Sequence, residues 1–523
     1  EDVSNTAPML ALALRQAARR EPMEIARQLQ IHEWDDAGVR EATQLRKGPI
    51  FVTALHGTRL DEIATGTYQA APDDLARLGH AVAHVLDPDL PAVPDLDGDV
   101  LSLAREISDA LSASARPLIV SGTGCGSEAL LEAAANVAYA LCRRGRAAEL
   151  CLVVPECNSL GLGLLGGRGL EDAFRAMQEG AVDTVVVLEN DLYRRADAAS
   201  VHEFLAAAQN LIALDHLNNH TTAAAHVTLP VGTFAESEGT LVNNEGRAQR
   251  FFKVMEAGGE GQESWRWLRD LMLAAGREEA ADWETLDDVL AAMTQALPSL
   301  RPVLDAAPPE SFRLLGQKVP RQSHRYTGRT AMHADVDVSE PKPPDDPDSP
   351  LAFSMEGYEG QPPPALIPRF WAPHWNSIQA LNKFQQEVAG ALRGGDPGVR
   401  LVEPAAEGEA RAYFEGIPDA FQPREGEWLV LPIYHVFGSE ELSLLTPGIR
   451  ELSPEPYLAL HPQDAAGLQV EAGQDVSIEI DGVRYRLPLK LMPALPRGVA
   501  GLPVGLPGLP GSIRPGSGGR IPA

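Results

Sequence analysis

Short runs of apolar, mostly β-branched residues recur along the first half of the chain, separated by segments with helical spacing. The apolar runs cover residues 49–54, 117–121, 150–154, 184–188 and 211–214. Runs of this length, apolar on both faces, are typical of buried parallel strands. The segments between them contain few helix breakers and cover residues 101–111, 127–144, 170–179 and 198–209. Repeated strand–helix–strand units predict an α/β fold with doubly wound, mostly parallel sheets over residues 1–256.

The pattern becomes helical after residue 256. Residues 257–338 continue with helical spacing, most clearly at 264–275 and 283–296. Residues 339–425 carry eight prolines before residue 365 and then a helical stretch at 377–392. We expect this proline-rich part to wrap a surface or to connect domains.

The last part of the chain has strand-like spacing. Alternating apolar residues and a turn signal at Gly482 predict a compact β-barrel over residues 426–511. Residues 512–523 are rich in glycine and proline and contain no acidic residue. Such a composition predicts a flexible tail.

Composition and charge narrow the class of protein. The chain has 44 basic and 73 acidic residues and a formal net charge of −29, whereas a surface that binds nucleic acid needs a positive potential. The longest run without a charged residue, 216–235, contains asparagine, threonine and proline, so we predict no membrane-spanning segment. No signal peptide is visible, and because the chain starts at Glu1 rather than at methionine, we expect a processed chain or a fragment.

The cysteines are few and widely spaced. They are Cys125, Cys142, Cys151 and Cys157. Structural zinc and iron–sulfur sites normally use closely spaced pairs of cysteines, which this chain lacks. We therefore expect reduced, buried cysteines and no metal site on this chain.

A glycine-rich turn at residues 121–127 follows a predicted strand and opens a predicted helix. Its glycines, Gly122, Gly124 and Gly126, would let the backbone approach a ligand phosphate at the N-terminus of the helix. The spacing is not that of the G-x-G-x-x-G dinucleotide-binding motif, and the Walker lysine is missing. A tight turn without a ligand is the simpler interpretation.

Two pairs of histidines have the i, i+4 spacing with which a helix could present both rings to one metal ion. They are His80 with His84, and His216 with His220 beside Asp215. The first pair lacks the glutamate of the zinc-protease pattern, and we interpret both pairs as ordinary helical residues. The chain also lacks the G-x-S-x-G string of an α/β hydrolase.

The most distinctive stretch is 229–249, in which Gly239 and Gly246 allow turns. Its charged residues, which could form a network that fixes the loops, are Glu236, Glu238, Glu245 and Arg247. Asn243 and Asn244 could bond backbone groups. On this chemistry alone a structural hairpin and a binding loop remain equally open.

The same stretch carries a family resemblance. The pattern F-x-E-x-x-G-T-x-x-N-x-E-G-R-x-Q at residues 234–249, preceded by Asp215 and by residues 225–230, resembles the molybdopterin oxidoreductase superfamily. Within it, the chain resembles the C-terminal part of one branch, the G subunits of bacterial NADH:quinone oxidoreductase, respiratory complex I. The segments that carry this second resemblance are 158–163, 187–192, 248–252, 263–268, 324–331, 353–357, 371–376 and 395–400. The resemblance covers almost the whole chain.

The resemblance implies a molybdopterin-oxidoreductase type of α/β fold with a C-terminal double-psi β-barrel, to which residues 458–481 are similar. It also implies that an N-terminal region is missing, and iron–sulfur clusters are expected on that region and not on this chain. This branch is regarded as having lost the pterin cofactor. Gly122, Gly124, Gly126 and Asp215 are therefore expected to be remnants of a pterin site, with no catalytic residue and no metal ligand.

From the resemblance we expect a structural, cofactor-free part of such a subunit, which supports electron transfer from NADH to quinone in the peripheral arm of complex I. The expected partners are other peripheral-arm subunits, including the flavin- and NADH-binding subunit, with no nucleic acid and no direct membrane span. The expected location is peripheral, at the cytoplasmic side of the bacterial inner membrane. The first alternative is a fragment of a molybdopterin-dependent catalytic subunit of the formate dehydrogenase type. The second is a free-standing binding module unconnected to respiration.

Overall fold

The computed structural model describes a large part of the chain, in several ranges. These are residues 2–32, 35–44, 46–154, 156–306, 398–403 and 412–521. The chain divides into two compact units: the first comprises Glu1–Arg15, Pro49–Ala307 and Val399–Ala523, and the second comprises Gln16–Gly48 and Pro308–Gly398. The helix predicted at 377–392 and most of the proline-rich part lie outside the described residues.

The described strands are β1 (Phe51–Ala54), β2 (Gly66–Gln69), β3 (Leu118–Gly122), β4 (Glu149–Val153), β5 (Thr184–Leu188), β6 (Asn210–Asp215), β7 (Val227–Pro230), β8 (Gly239–Val242), β9 (Arg247–Phe251), β10 (Val399–Arg400), β11 (Trp428–Ile433), β12 (Leu458–Leu460), β13 (Asp475–Ile480), β14 (Val483–Leu491), β15 (Val499–Pro503) and β16 (Gly518–Arg520). The described α-helices are α1 (Val3–Thr6), α2 (Pro8–Ala18), α3 (Arg20–Gln28), α4 (Asp36–Thr43), α5 (Pro72–Leu86), α6 (Gly98–Ala113), α7 (Glu128–Arg143), α8 (Ser159–Leu165), α9 (Leu170–Gln178), α10 (Ala198–Ala207), α11 (His220–Ala224), α12 (Ser264–Ala274), α13 (Leu286–Ala296), α14 (Glu441–Leu444), α15 (Pro447–Leu452) and α16 (Pro462–Gly467). None of these helices is both long and apolar enough to cross a membrane.

The five apolar runs of the first half form strands β1, β3, β4, β5 and β6. They lie in three small parallel sheets, β1–β2, β3–β4 and β5–β6–β7. Helices α5, α6, α7, α9 and α10 connect the strands, as repeated strand–helix–strand units require. The predicted α/β fold class with parallel strands is confirmed.

Helices α5 and α7 pack closely because small residues face each other at their crossing. A side chain added at Gly79 would lie 2.9 Å from the Cβ of Ala133. Around this crossing, Leu78, Leu86 and Leu141 are almost fully buried in a cluster shared with α6. Burial of apolar side chains on this scale is the main stabilising term of such a layer.

The distinctive stretch 229–249 forms a β-hairpin rather than a helix or an open loop. Strands β8 and β9 pair antiparallel, with Val242 opposite Ala248, and β10 adds to the edge of β9. At the turn, the side-chain oxygen of Asn243 accepts hydrogen bonds from the backbone of Glu245 and Arg247, each at 3.0 Å. This is the turn role of asparagine that the sequence left open.

The predicted C-terminal barrel is confirmed as a closed barrel of six strands in the order β11, β15, β12, β14, β13, β16. Side chains alternate along its strands. Val430 points into the barrel core with Ile478, whereas Leu431 packs outside with Leu55 of the α/β part. The barrel is therefore held from within and against the α/β part by alternate residues of one strand.

The barrel continues past residue 511, where the sequence analysis ends it. Strand β16 pairs with both β11 and β13 and so closes the barrel. A side chain at Gly519 would lie 2.6 Å from Val430 and 2.7 Å from Ile478, so the interior has room only for glycine there. The prediction of a flexible tail is therefore wrong for residues 518–520, because they pair as a barrel strand and Gly519 is required by close packing.

The described part of the second unit contains the end of α2 together with α3 and α4. An ion pair of 2.7 Å joins Arg19 to Asp36 at the start of α4, and Asp35 caps that helix by accepting from the backbone of Gly38 at 3.1 Å. Pro22 and Ala26 form the buried face of α3. This unit thus has its own local helix packing.

Candidate functional site

The glycine-rich turn that the sequence singled out joins β3 to α7. Gly122 is the last residue of β3, and Ser127 caps α7 by accepting from the backbone of Leu130 at 3.2 Å. Two backbone N–H groups of the turn already donate within the protein, that of Thr123 to the carbonyl of Val153 in β4 at 3.0 Å and that of Gly126 to the carbonyl of Thr123 at 2.9 Å. The turn therefore uses these donors to hold its own shape.

Gly126 is in the left-handed region, with φ of +62°, where glycine is favoured. The space beside it is filled by the chain itself, because a side chain at this position would lie 2.8 Å from Cγ of Pro515. A dinucleotide pyrophosphate would need that surface free to approach the backbone. The glycine here serves the close approach of another segment of the same protein.

That segment is the C-terminal strap, residues 505–517, which leads into β16. Arg194 donates to the carbonyl of Gly505 at 3.4 Å, and Ser512 donates to the carbonyl of Arg194 at 3.3 Å. Arg514 forms an ion pair of 2.9 Å with Asp197, the residue that caps α10. Charge-assisted contacts at two points thus fix the strap on the α/β part next to the glycine turn.

Asp215, the other predicted remnant of a pterin site, ends β6 and is buried. Its two carboxylate oxygens accept from the backbone of Leu217 at 3.0 Å and from the side chain of Asn219 at 2.8 Å. Asn219 in turn caps α11, accepting from Thr222 at 2.9 Å. Asp215 therefore fixes the turn after its strand, and it lies in a different sheet from the glycine turn.

The two histidine pairs do not present their rings to a common point. Nδ1 of His84 bonds the carbonyl of Leu90 at 2.7 Å, whereas His80 is buried on α5 with Nδ1 3.5 Å from the Asn136 amide. Burial lowers the pKa of His80. His220 packs edge-to-face on Tyr193. Across the described ranges no three His, Cys, Asp or Glu side chains are grouped so that they could hold a metal ion.

The cysteines differ in exposure. Cys125 and Cys151 are partly buried, and burial raises the pKa of Cys151. Cys142 and Cys157 are exposed, which corrects the expectation that all four are buried. Cys142 lies in the last turn of α7 and Cys157 in the turn before α8, both at the surface.

The charged residues of the 229–249 stretch divide into separate local contacts. Glu236 accepts from the backbone and the hydroxyl of Thr233, both at 2.9 Å, and these bonds lower the pKa of its carboxyl. Glu245 pairs with Arg247 at 3.1 Å at the hairpin turn. Each contact fixes a loop, as the structural interpretation of this stretch requires.

Glu238 has a partner that the sequence analysis missed. Its carboxylate lies 3.2 Å from Arg250, which also pairs with Asp287 at 2.7 Å. Burial opposes the charge, but the bonds to Asp287 and Glu238 raise the pKa of Arg250. The side chains of Glu238 and Arg250 are 4% and 5% exposed, so this pair is the buried electrostatic centre of the stretch. The Glu238–Arg250 pair could have been predicted only from the register of β8 with β9, which a single sequence does not specify.

A polar cleft of about 550 Å³ lies between the start of α5 and the barrel, beside the end of the strap. Its charged lining residues are Asp73, Asp419, Arg424 and Glu427. Burial, together with the carboxylates of Asp74 and Asp419, raises the pKa of Asp73. The cleft was not predicted, because its walls come from four separate parts of the chain.

Together these contacts decide whether the chain could hold a pterin dinucleotide. Pro515 lies against Gly126 of the glycine turn, Asp215 has both oxygens engaged, and no cysteine belongs to a ligand cluster among the described residues. In the described part of the chain, the surroundings of Gly126 and Asp215 do not fit the cofactor.

Part of the chain is similar to known proteins. Residues 79–274 match the family profile described as molybdopterin oxidoreductase. The solved structure of acetylene hydratase from Pelobacter acetylenicus aligns with 87% of this chain and 66% of that chain, at 13% identity and a TM-score of 0.44.

Sequence identity with individual proteins is more specific than the family profile. The chain is 46% identical over 519 residues to the G subunit of NADH-quinone oxidoreductase from Pseudomonas fluorescens, covering 98% of this chain and 57% of that protein. It is 45% identical over 516 residues to the protein of the same name from Escherichia coli, covering 97% of this chain and 56% of that protein. The chain is therefore homologous to part of the G subunit and spans a little over half the length of these relatives. The predicted resemblance is confirmed.

Proposed function

We propose that this chain is a structural, cofactor-free part of the G subunit in a respiratory NADH-quinone oxidoreductase. Its role is to bind neighbouring subunits and to support the region of the full-length protein that carries iron–sulfur clusters. The complex oxidises NADH and passes electrons through flavin and iron–sulfur centres to quinone. On this proposal the chain lies in the peripheral arm, at the cytoplasmic side of the bacterial inner membrane, beside the flavin- and NADH-binding subunit.

The observation that carries the proposal is the contact between Pro515 and Gly126. It supports a structural role because the turn that would receive a phosphate instead receives the strap of the same chain. Two further features support it in the same sense. The Asp215 carboxylate is fully engaged in its own turn, and the Glu238–Arg250 pair is buried inside a hairpin rather than open to a substrate.

On this proposal, the residues expected to be remnants of a pterin site help to keep this region of the protein rigid. The α/β part and the strap, which leads into β16 of the barrel, share hydrogen bonds and an ion pair around Arg194 and Asp197. A region fixed in this way holds its outer surfaces at constant spacing, which is what a scaffold between electron carriers must do. Gly122, Gly124, Gly126 and Asp215 would then be retained for folding.

The test is purification of the full-length protein with its complex from the native host. We expect the chain to co-purify with an NADH-oxidising, flavin-containing subunit, and the stripped complex to release no stoichiometric pterin fluorescence. Molybdenum or tungsten at one atom per chain would contradict the proposal and favour the molybdopterin-dependent enzyme. Purification without a flavin-containing partner would instead favour the free-standing binding module. A molybdopterin enzyme carried through the same release step is the positive control.

A further inference from the structure

The three-stranded parallel sheet β5–β6–β7 has one covered face and one partly bare face. On the covered face, Val187 and Leu211 pack with Phe204 of α10 and Met177 of α9. Parallel sheets in α/β folds are normally covered on both faces, because their strands are apolar on both sides. The opposite face is therefore the unusual one.

The apolar residues of that opposite face follow from the strand register. Neighbours in register share a face of the sheet, and the rows are Val186–Ile212–Val227 and Leu188–Leu214–Leu229. Val186, Leu188 and Val227 are 47%, 44% and 48% exposed, whereas Leu214 in the middle strand is buried. We call these six residues the open sheet face. Exposed apolar atoms on the two outer strands therefore lie on either side of the buried middle strand, and exposed apolar area of this kind in a folded protein marks an interaction site.

The chemistry of the occupant follows from shape and charge. Three strands spaced about 4.8 Å apart make a strip close to the width of one α-helix with its side chains. Exposed acids, Asp183 and Glu189, lie directly before and after β5, and the whole chain carries a net charge of −29. A helix that complements this strip has an apolar stripe bordered by lysine or arginine.

From the proposed function, on which this step rests, we infer that the open sheet face binds an amphipathic, basic-edged helix of a neighbouring subunit. The helix lies along the strands and covers Val186 and Val227, so that the sheet is buried on both faces only in the assembled complex. This inference gives the scaffold a defined docking surface, on the face of the sheet opposite α9 and α10.

The test places a photo-crosslinking residue, p-benzoylphenylalanine, at Val186 or Val227 of the full-length subunit in the assembled complex. The matched control carries it at Leu452 of α15, which is 60% exposed but lies outside the sheet. We expect both sheet positions, and not the control, to crosslink to the same segment of one other subunit, with helical apolar spacing and flanking Lys or Arg. Adducts within the same polypeptide, adducts to a second copy of it, or no adduct from either sheet position would overturn the inference.

A second measurement uses the paired substitutions Val186→Glu and Val227→Glu against Val186→Leu and Val227→Leu. Because both sites are about half exposed, the acidic variant should melt within a few degrees of the unaltered chain. We expect it to retain at least tenfold less of the crosslinked subunit in the purified complex, while the leucine variant retains all of it. Equal retention by both variants would overturn the inference. If the unaltered chain purified with no NADH-oxidising complex, the proposed function itself would fail, and this inference with it.

Discussion

The side-chain amide of Asn136 forms two hydrogen bonds with the backbone of Phe414, although 278 residues separate them in sequence. Its Nδ2 donates to the Phe414 carbonyl at 2.8 Å, and its Oδ1 accepts from the Phe414 N–H at 3.0 Å. Asn136 is fully buried on α7. The Asn136 amide thus supplies the pair of hydrogen bonds that a neighbouring strand would otherwise make. It does so for the segment around Phe414, which has no regular secondary structure.

Replacing Asn136 by alanine should destabilise the chain by about 2–4 kcal/mol. Both bonds would be lost, each normally worth about 0.5–1.5 kcal/mol, and truncation of the fully buried Asn136 side chain would leave a cavity beside α7. Urea unfolding at pH 7 measures the effect, with Asn244→Ala, an exposed asparagine of the hairpin turn, as the control. A loss below about 0.5 kcal/mol, as for most surface substitutions, would show that the segment is not held by this amide.

Gly126→Ala should cost about 1–3 kcal/mol, since alanine is strained at positive φ and its Cβ would overlap Pro515. Gly98→Ala is the control: Gly98 is the first residue of α6 with open space around it, and alanine there should be neutral or slightly stabilising. A double-mutant cycle with Pro515→Ala isolates the contact with the strap. If the losses in the free energy of unfolding from Gly126→Ala and Pro515→Ala were additive, the strap would not be in energetically significant contact with the turn.

Arg250→Met should destabilise the chain by about 3–5 kcal/mol. The substitution removes the buried arginine that faces the Glu238 carboxylate, and an ion in the interior that loses its partner is costly. The control is Arg486→Met, which breaks an exposed pair with Asp475 and should cost about 0–1 kcal/mol. Similar losses for both variants, measured by thermal unfolding, would contradict the buried role of Arg250.

Gly519→Ala tests the closure of the barrel. Its Cβ would overlap Val430 and Ile478, both fully buried, whereas a Cβ at the neighbouring Gly518 would meet nothing within 4 Å. We expect a loss of about 1–3 kcal/mol for Gly519→Ala, because overpacking forces side chains off their rotamers. Gly518→Ala should change the free energy of unfolding little, and equal losses at the two sites would argue against interior crowding.

Stability should fall as the pH drops below about 6.5. Burial lowers the pKa of His80, so the unfolded chain binds that proton more tightly and acid favours unfolding. The contribution is complete above the unfolded pKa and is lost as the pH falls from there toward the folded pKa, with a slope of at most about 1.4 kcal/mol per pH unit.

The substitution that checks this is His80→Leu, compared with the unaltered chain by urea unfolding at pH 7.5 and 5.5. Nε2 of His80 is buried without a hydrogen-bond partner among the described residues. A leucine side chain needs no such partner, so the variant should keep its stability at neutral pH. The acid loss should shrink but not vanish, since burial also lowers the pKa of His435. An unchanged acid loss would contradict the assignment, and the exposed His202→Gln serves as the control.

Sequence reasoning succeeded where the signal was local. The apolar, β-branched run at 184–188 predicts a strand without reference to any other part of the chain, and it forms β5 as predicted. The helix predicted at 264–275 is α12, Ser264–Ala274, because its apolar spacing and breakers are also local features.

It failed where the deciding partner is remote in sequence. The sequence predicted a mobile Gly519, because glycine permits flexibility. In the structure, glycine is needed at this position because the side chains of Val430 and Ile478 leave no room for a Cβ atom. Arg247 looked like the partner of the glutamates in the 229–249 stretch, but only the strand register places Arg250 against Glu238. The bond between Asn136 and Phe414 has no sequence signature at all.

The position of β16 has a consequence for synthesis on the ribosome. One edge of β11, which ends at Ile433, is completed only by residues from Gly518 onward. At roughly 5–20 residues per second, that edge waits several seconds in the nascent chain. During this interval the strand is a template for pairing with other chains, and the same residues later bring Pro515 onto the glycine turn. A ribosome that stops early would therefore release a polypeptide with an incomplete barrel and an uncovered turn, a defect that cellular proteases could recognise.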